Sequence, residues 1–276
     1  MVTPQGHIVE RSIIKKFRKN IWSKFTQSLK HFSLVEEKDR ICVCVSGGKD
    51  SMLLAKCLQE LEKHGKTEFK LKFLLMDPGY DNTSLEIVFN NARTLNIPLE
   101  RMESGIFQSV AHLENPCYLC ARMRRGFLYS GAKKLGCNKI ALGHHKDDVI
   151  ETIMLNLCYA GQIKTMLPKL KSRNFENMEL IRPLYYIEEE AIKAWQQYNN
   201  LTFINCACPL SDVCTIESGD GGKISKRCEM KNLLAYMESV HPGIKDNIFK
   251  SLDNVNLEAI LGFRKDGKKG SFLSGY

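Results

Sequence analysis

Apolar positions recur with two different periods along this chain. From about Val9 to His31, Ile13, Phe17, Ile21 and Phe25 fall at four-residue steps with Lys and Arg between them. That spacing predicts a basic amphipathic helix whose apolar stripe packs on the body of the protein. Its cationic face reads first as solvated surface, with an RNA-binding face as the alternative. "RICVCVS" (Arg40–Ser46) is a short β-branched apolar run and predicts a buried strand. "DSMLLAKCLQELEKHG" then takes helical period and closes at Gly65.

The alternation continues. "FKLKFLLMD" predicts a second strand, "TSLEIVFNNARTLN" a second helix and "PLERMES" a third strand. "LCARMRRGFLYSGAKKLG" predicts a helix closed at Gly136, and "CNKIALGH" a strand. That strand leads into "KDDVIETIMLNLCYAG", a helix whose acidic start suits its dipole. Strands alternating with helices predict an α/β fold, a doubly wound, mostly parallel sheet with flanking N- and C-terminal helical segments. After Gly161 the pattern weakens: "QIKTMLPKLKSRNFENMELIRPLYY" reads as a basic loop, followed by a helix from Glu188 to about Asn199. A polar, glycine-rich stretch, "TIESGDGGKIS", reads as a flexible connection. The C-terminal part is helical again from Arg227. Three segments are expected: a basic helical segment over 1–38, an α/β domain over 39–200, and a C-terminal helical region with a cysteine-bearing loop over 201–276.

Composition adds three constraints. The chain has 276 residues, is 43% hydrophobic and carries a net charge of +9. A phosphate-rich partner such as nucleic acid is one reading of that charge, and an ordinary solvated surface is the other. No leader peptide pattern and no membrane-length apolar run is present, so a cytoplasmic location with no membrane partner is expected. The eleven cysteines are then free thiols, some of them candidate metal or redox ligands rather than a disulfide framework.

One turn carries explicit chemistry. In Ser46-Gly47-Gly48-Lys49-Asp50-Ser51 two glycines permit close backbone approach to an anion, and the following helix aims free amides at it. Lys49 adds charge, and the Ser46 and Ser51 hydroxyls can donate hydrogen bonds. The spacing is not that of the Walker phosphate loop. A second cluster, "GHHKDD" (Gly143–Asp148), sits at the carboxyl end of a predicted strand, where ligands bind in open α/β sheets. Asp147 and Asp148 are candidates for holding Mg²⁺ against the phosphates of a bound ligand, with helix capping as the alternative role for one of them. His144 reads as a phosphate contact or as a packing histidine. Asp77, closing the second strand before Pro-Gly, reads as a ribose or metal contact or as a turn-starting residue.

"SGGKDS" resembles the PP-loop of the adenine-nucleotide α-hydrolase superfamily. That resemblance implies ATP binding through the pyrophosphate and cleavage between the α- and β-phosphates, with Lys49 and Asp50 among the catalytic residues. "PCYLCARMRRGFLYSGAKKLGCNKIALGHHKDD", "IRPL" (Ile181–Leu184) and "INC" (Ile204–Cys206) narrow it: they are similar to the tRNA 2-thiocytidine synthetase family. The likeness runs from about Arg40 to Cys206 and resumes from Arg227 through "HPGIKDNIF".

Cys117 and Cys120 form a C-x-x-C pair before a helix, a pattern compatible with zinc, an iron–sulfur centre or redox exchange. The family resemblance implies a 4Fe–4S cluster held by Cys117, Cys120 and Cys206, with one iron left open for a transferable sulfur. This chain departs from the family in the same place. Cys208 follows Cys206 at C-x-C spacing and Cys214 lies in an added segment over 209–226, so Cys208 and Cys214 remain alternatives for the third ligand. Cys42, Cys44, Cys57, Cys137 and Cys158 read as small buried hydrophobes.

Arg122, Arg124 and Arg125 follow the cysteine pair and suit RNA or adenylate phosphates, with surface ion pairing as the alternative. Lys164 and Lys169, with Lys171 and Arg173, extend a basic surface that could serve a tRNA backbone. The resemblance implies an ATP-dependent sulfurtransferase acting on cytidine 32 of tRNA. Its expected partners are a sulfur donor (a cysteine desulfurase or sulfide) and a second copy in a homodimer. Two other readings stay open: a PP-loop enzyme thiolating another nucleoside or a small molecule, and a zinc-stabilised RNA-binding protein without catalysis.

Overall fold

The computed structural model describes residues 3–110, 116–204 and 225–275, apart from the side chains of a few residues within helices. The chain forms two compact units, Met1–Val149 with Met166–Ser225, and Ile150–Thr165 with Lys226–Tyr276.

The first unit is built on a six-stranded sheet of order β3-β2-β1-β4-β6-β5. Its strands are β1 (Arg40–Val45), β2 (Lys70–Asp77), β3 (Leu99–Glu103), β4 (Lys139–Ala141), β5 (Lys169–Lys171) and β6 (Glu179–Ile181). All neighbours are parallel except β5, which pairs antiparallel with β6. The doubly wound, mostly parallel sheet expected from the sequence is therefore present. The segment read as a basic loop contributes two of its strands, each only three residues long. Such short runs among Lys, Arg and Asn carry too few apolar residues to show a period; pairing of β6 with β4, and of β5 with β6, supplies what local pattern lacks.

Alternation along β1 divides the core in two. Ile41, Val43 and Val45 face one side, with α3 (Lys49–His64) and α4 (Asn82–Thr94), while Cys42 and Cys44 face the other with Tyr129 and Ala132 of α6 (Pro116–Lys134). The β1 cysteines, Cys57 and Cys137 are buried, as expected for small hydrophobes; Cys158 departs from that expectation, because the run 157–160 that holds it is exposed.

The N-terminal stripe is kept on one face by a change of winding. Helices α1 (Pro4–Ile14) and α2 (Ser23–His31) flank a π-helical turn, Arg18–Trp22. Four-residue steps drift by about 40° each around a 3.6-residue helix. The wider i→i+5 winding absorbs that drift, and Ile13, Phe17, Ile21 and Phe25 are all buried in the same core. Thr3 caps α1 by accepting from the Gly6 N–H at 3.0 Å, with Pro4 opening the helix. Lys56, fully buried on α3, donates to Glu10 Oε1 at 2.7 Å, Gln59 Oε1 at 2.8 Å and Leu95 O at 2.8 Å. The N-terminal segment is thus pinned to α3 by a satisfied buried charge as well as by its apolar stripe.

In the second unit Ile150 and Met154 of α7 (Lys146–Ala160) pack with Met230 and Leu234 of α9 (Lys226–Val240) and with Ile248 and Phe249 of α10 (Ile244–Lys250). Arg227 Nε donates to Glu151 Oε2 at 2.7 Å. A two-stranded hairpin, β7 (Gly262–Lys265) and β8 (Lys268–Ser271), follows. Among the described residues no helix is long and apolar enough to cross a membrane.

Candidate active site

The strand order reverses between β1 and β4, and crevices at the carboxyl ends of such a pair are where open α/β sheets bind ligands. Both motif loops leave the sheet there: Ser46-Gly47-Gly48 from β1 and Leu142–His145 from β4.

Gly47 has a φ of +84° and a Cβ there would lie 2.4 Å from Val88 Cγ2, so both conformation and space require glycine. Ser51 braces the turn: its hydroxyl accepts from Ser46 N at 3.1 Å and donates to Gly48 O at 2.9 Å, with Ser46 Oγ at 3.2 Å. The serines thus hold the loop in shape. Gly48 is the N-cap of α3 and has no side chain to cap the first-turn amides. A bare helix N-terminus behind a glycine turn fits an anion such as a pyrophosphate group.

Gly143 lets the second loop come close. A Cβ on it would stand 3.0 Å from Asp50 C and Ser51 N, so the β4 loop abuts the first turn of α3. Around that contact stand the acidic and cationic groups. Lys49 Nζ is 3.2 Å from Asp50 Oδ2 and 3.2 Å from Glu189 Oε1 of α8 (Glu189–Tyr198). Burial pulls the Lys49 ammonium down, but the two carboxylates outweigh it and hold its pKa above the ordinary lysine value. Buried His145 has Nε2 3.8 Å from Asp50 Oδ1 and 3.5 Å from Asp148 Oδ2, and Nδ1 3.8 Å from Asp147 Oδ2. Asp148 Oδ2 accepts from His145 N at 3.0 Å, the acidic half of a capping box, and Asp147 Oδ2 accepts from Glu189 N at 2.8 Å. Both aspartates thus brace backbone at the rim of the crevice. His144 beside them is partly buried.

His145 and Glu189 were not singled out by sequence reasoning. Glu189 lies in a run of three glutamates opening a helix, where its charge reads as a dipole partner. Only folding brings it to Lys49. The doubled histidine of "GHHKDD" was visible, but which of the two faces three carboxylates is set by the loop geometry.

Asp77 is 3% exposed and engaged within its own loop. Oδ1 accepts from Gly79 N at 2.8 Å and Tyr80 N at 2.7 Å, and Oδ2 takes Arg101 Nε at 3.0 Å and Nη2 at 2.7 Å. Burial raises its pKa, but these donors together hold it below the usual carboxylate value. Tyr80 Oη in turn donates to Ser46 O at 3.4 Å, linking this turn to the phosphate loop.

Cys120 is buried with Met76, Ile106 and Phe107. Pro116 opens α6, which puts Cys117 and Cys120 one turn apart at its start. An apolar wall beside a helix-start C-x-x-C fits a water-shielded sulfur-ligated centre. The Cys117 side chain and Cys206, Cys208 and Cys214 lie outside the described residues. Arg122 and Arg125 are exposed and Arg124 half-buried on α6. Lys164 is exposed. Lys169 donates to Ser33 O at 2.9 Å and pairs with Glu36 at 3.2 Å and Glu179 at 3.4 Å, so its charge is largely matched on the edge of the sheet.

Comparison with known proteins accords with this geometry. The PP-loop domain family matches residues 18–208. A tRNA-cytidine(32) 2-sulfurtransferase of Anaeromyxobacter dehalogenans (strain 2CP-C) is 34% identical over 255 residues, covering 91% of this chain and 81% of the relative. The enzymes of that name from Pelobacter propionicus (36% identical; 86% of each chain) and Geobacter sulfurreducens (32%; 88% of this chain, 92% of the relative) are similarly close. The U34-tRNA thiolase NcsA of Methanococcus maripaludis, solved with its [4Fe-4S] cluster, has the same fold. The match has a TM-score of 0.66 at 23% identity over 87% of this chain and 82% of that one. With its phosphate turn, its β4 loop and its α6 cysteine pair in these positions, the chain belongs to the PP-loop family and, within it, to the tRNA-cytidine(32) 2-sulfurtransferases, a family of ATP-dependent tRNA sulfurtransferases.

Proposed function

We propose that this protein adenylates cytidine 32 of tRNA at its 2-oxygen and replaces that oxygen with sulfur. The observation that carries the reading is the bare N-terminus of α3 at the β1–β4 switch, with Lys49 beside it between Asp50 and Glu189. A carbonyl oxygen of cytosine is a poor leaving group, so it must be activated first. The 2-oxygen attacks the α-phosphorus of ATP and pyrophosphate departs onto the Ser46–Ser51 turn. Lys49 offsets the charge developing on the leaving oxygens, and the α3 amides hold it in place. Asp147 and Asp148, at the rim of the crevice, would hold Mg²⁺ against the phosphates. Sulfur at the sulfide level then adds to carbon 2 with its own electron pair, and the C–O bond breaks as AMP leaves carrying the original oxygen.

The donor set for a 4Fe–4S cluster is Cys117, Cys120 and a third cysteine, Cys206 by family position. When bound, the cluster supplies an iron not ligated by protein, at which a sulfur atom can be held. Cys120 contributes a thiolate in an apolar wall that excludes water. Anticodon-loop bases are single-stranded and can be turned out to a crevice of this kind, with Arg122, Arg124 and Arg125 meeting the flanking phosphates.

The test is anaerobic reconstitution with iron and sulfide, followed by reaction with ATP and unmodified tRNA and mass spectrometry of the nucleosides. The expected product is 2-thiocytidine with one AMP formed per sulfur. Thiolation of a different nucleoside overturns the cytidine assignment, and absence of any thionucleoside from the iron-loaded protein overturns the whole reading.

A further inference from the structure

Arg182 directly follows β6, at the carboxyl end of the sheet. Its side chain is 5% exposed, an uncommon place for a guanidinium. Its main-chain N–H donates to Pro168 O at 2.9 Å, and Nη1 donates to Leu167 O. Its buried Nε has no hydrogen-bond partner among the described residues, and no carboxylate there forms an ion pair with it. Buried charges in proteins are ordinarily paired, because an uncompensated one carries a large desolvation cost. Here the neighbouring charge is instead another cation. Burial first, and then Arg125 of α6, push the Arg182 pKa down to about 10, while Tyr185, Tyr129 and Asp148 act the other way. The Leu167–Pro168 strap is fixed on both sides of this group, since Tyr185 Oη also donates to Met166 O at 3.1 Å.

A buried guanidinium with an unused N–H, no paired carboxylate and a second arginine whose charge reaches it is half of an anion site. Asp148, which contributes to its field, belongs to the first turn of α7 at the proposed nucleotide crevice. We propose that Arg182 and Arg125 form a phosphate subsite beside that crevice, Arg182 as the buried floor and Arg125 as the exposed rim. The planar guanidinium matches two phosphate oxygens at once, which an ammonium does not. The phosphate is carried either by the RNA chain next to the target base or by the nucleotide. This assignment rests on the proposed function for its two candidate ligands.

The test uses the full chain carrying Arg182→Lys, which keeps the charge and removes the fork, and separately Arg125→Gln on the exposed helix face. Binding of a fluorescein-labelled anticodon stem-loop RNA and of a non-hydrolysable ATP analogue is measured for each variant, with the thermal midpoint as a control. Both variants are expected to weaken one of the two probes by about tenfold or more, the size of a lost charge-assisted contact. If the RNA is affected, Arg125→Gln also lowers the slope of log affinity against log salt by about one, which a purely structural role does not do. Loss of the RNA places the phosphate in the RNA chain, and loss of the analogue places it in the nucleotide. Unchanged binding of both probes by folded variants overturns the subsite. So does unfolding of Arg182→Lys together with unchanged binding by Arg125→Gln. Failure of the wild-type chain to bind the RNA counts against the tRNA reading instead, and the analogue then decides the subsite alone.

Discussion

Lys49 Nζ lies 3.2 Å from Glu189 Oε1, so the first residue of the helix behind the phosphate turn is tied to the first residue of α8. The same Lys49 is shared with Asp50. Replacing Lys49 by Ala is expected to lower single-turnover thiolation by about 100-fold or more, the usual scale for one preorganised charge in such a site. Glu189→Gln leaves the cation in place and removes only what orients it, so a loss nearer tenfold is expected. Rapid-quench measurement of AMP formation separates the two, and equal losses would assign Glu189 a direct chemical role.

Gly47→Ala tests the turn itself. The added methyl meets Val88 at 2.4 Å on a backbone with φ of +84°, and such strain costs about 1–3 kcal/mol. Urea denaturation should show that loss, and ATP-analogue binding should weaken with it. A variant with unchanged stability would mean that Val88 gives way freely.

Asp77 predicts a pH dependence. Its folded pKa is held below the usual carboxylate value despite burial, by Tyr80 N, Gly79 N and Arg101. The stability it contributes is therefore complete above its unfolded pKa and is lost as pH falls through the lower, folded one. Against Asp77→Asn, the wild type should hold a constant advantage in urea midpoint at neutral pH that narrows only below about pH 4. An advantage that grows on acidification would contradict this.

Glu10→Ala is expected to destabilise the protein by about 3–5 kcal/mol, because it strips the carboxylate from a cation that has no access to water. Lys56 would keep only Gln59 Oε1 and Leu95 O. Lys63, half-exposed and also bonded to Glu10 at 2.8 Å, can turn to solvent and contributes little to that loss. Differential scanning calorimetry reads the effect, and a change below 1 kcal/mol, roughly the value of an exposed pair, would show that the N-terminal helix is held by its apolar stripe alone.

Cys120→Ser tests the sulfur ligation. The anaerobically reconstituted variant should lose most of its iron and its visible absorption while keeping ATP-analogue binding, because the phosphate turn lies on a different helix. Wild-type protein that takes up zinc and no iron would favour a structural site at these cysteines.

Some of this was readable from local pattern and some was not, and the division follows the range of the interactions. β1 and its phosphate turn are local objects: a β-branched run, two glycines and a helix start lie within a few residues, so composition and period suffice. The N-terminal apolar stripe was visible for the same reason, while the π turn that keeps it on one face belongs to the packing of the shared core. Strands β5 and β6 were not legible, because three-residue segments gain their order from neighbouring strands, β6 from β4 and β5 from β6, rather than from their own residues.

The sequence by itself determined that an anion-binding turn, a C-x-x-C pair and an acidic β4 loop exist on an alternating α/β chain, since each is written within one short stretch. Only the tertiary structure decided that Lys49 meets Glu189, that His145 stands among Asp50, Asp147 and Asp148, and that Arg182 is buried near Arg125 with no carboxylate paired to it. Apart from His145 with Asp147 and Asp148, these relations join distant parts of the chain. The reversal of strand order between β1 and β4 creates them, and no periodicity along the sequence encodes which side chains will face each other across that crevice.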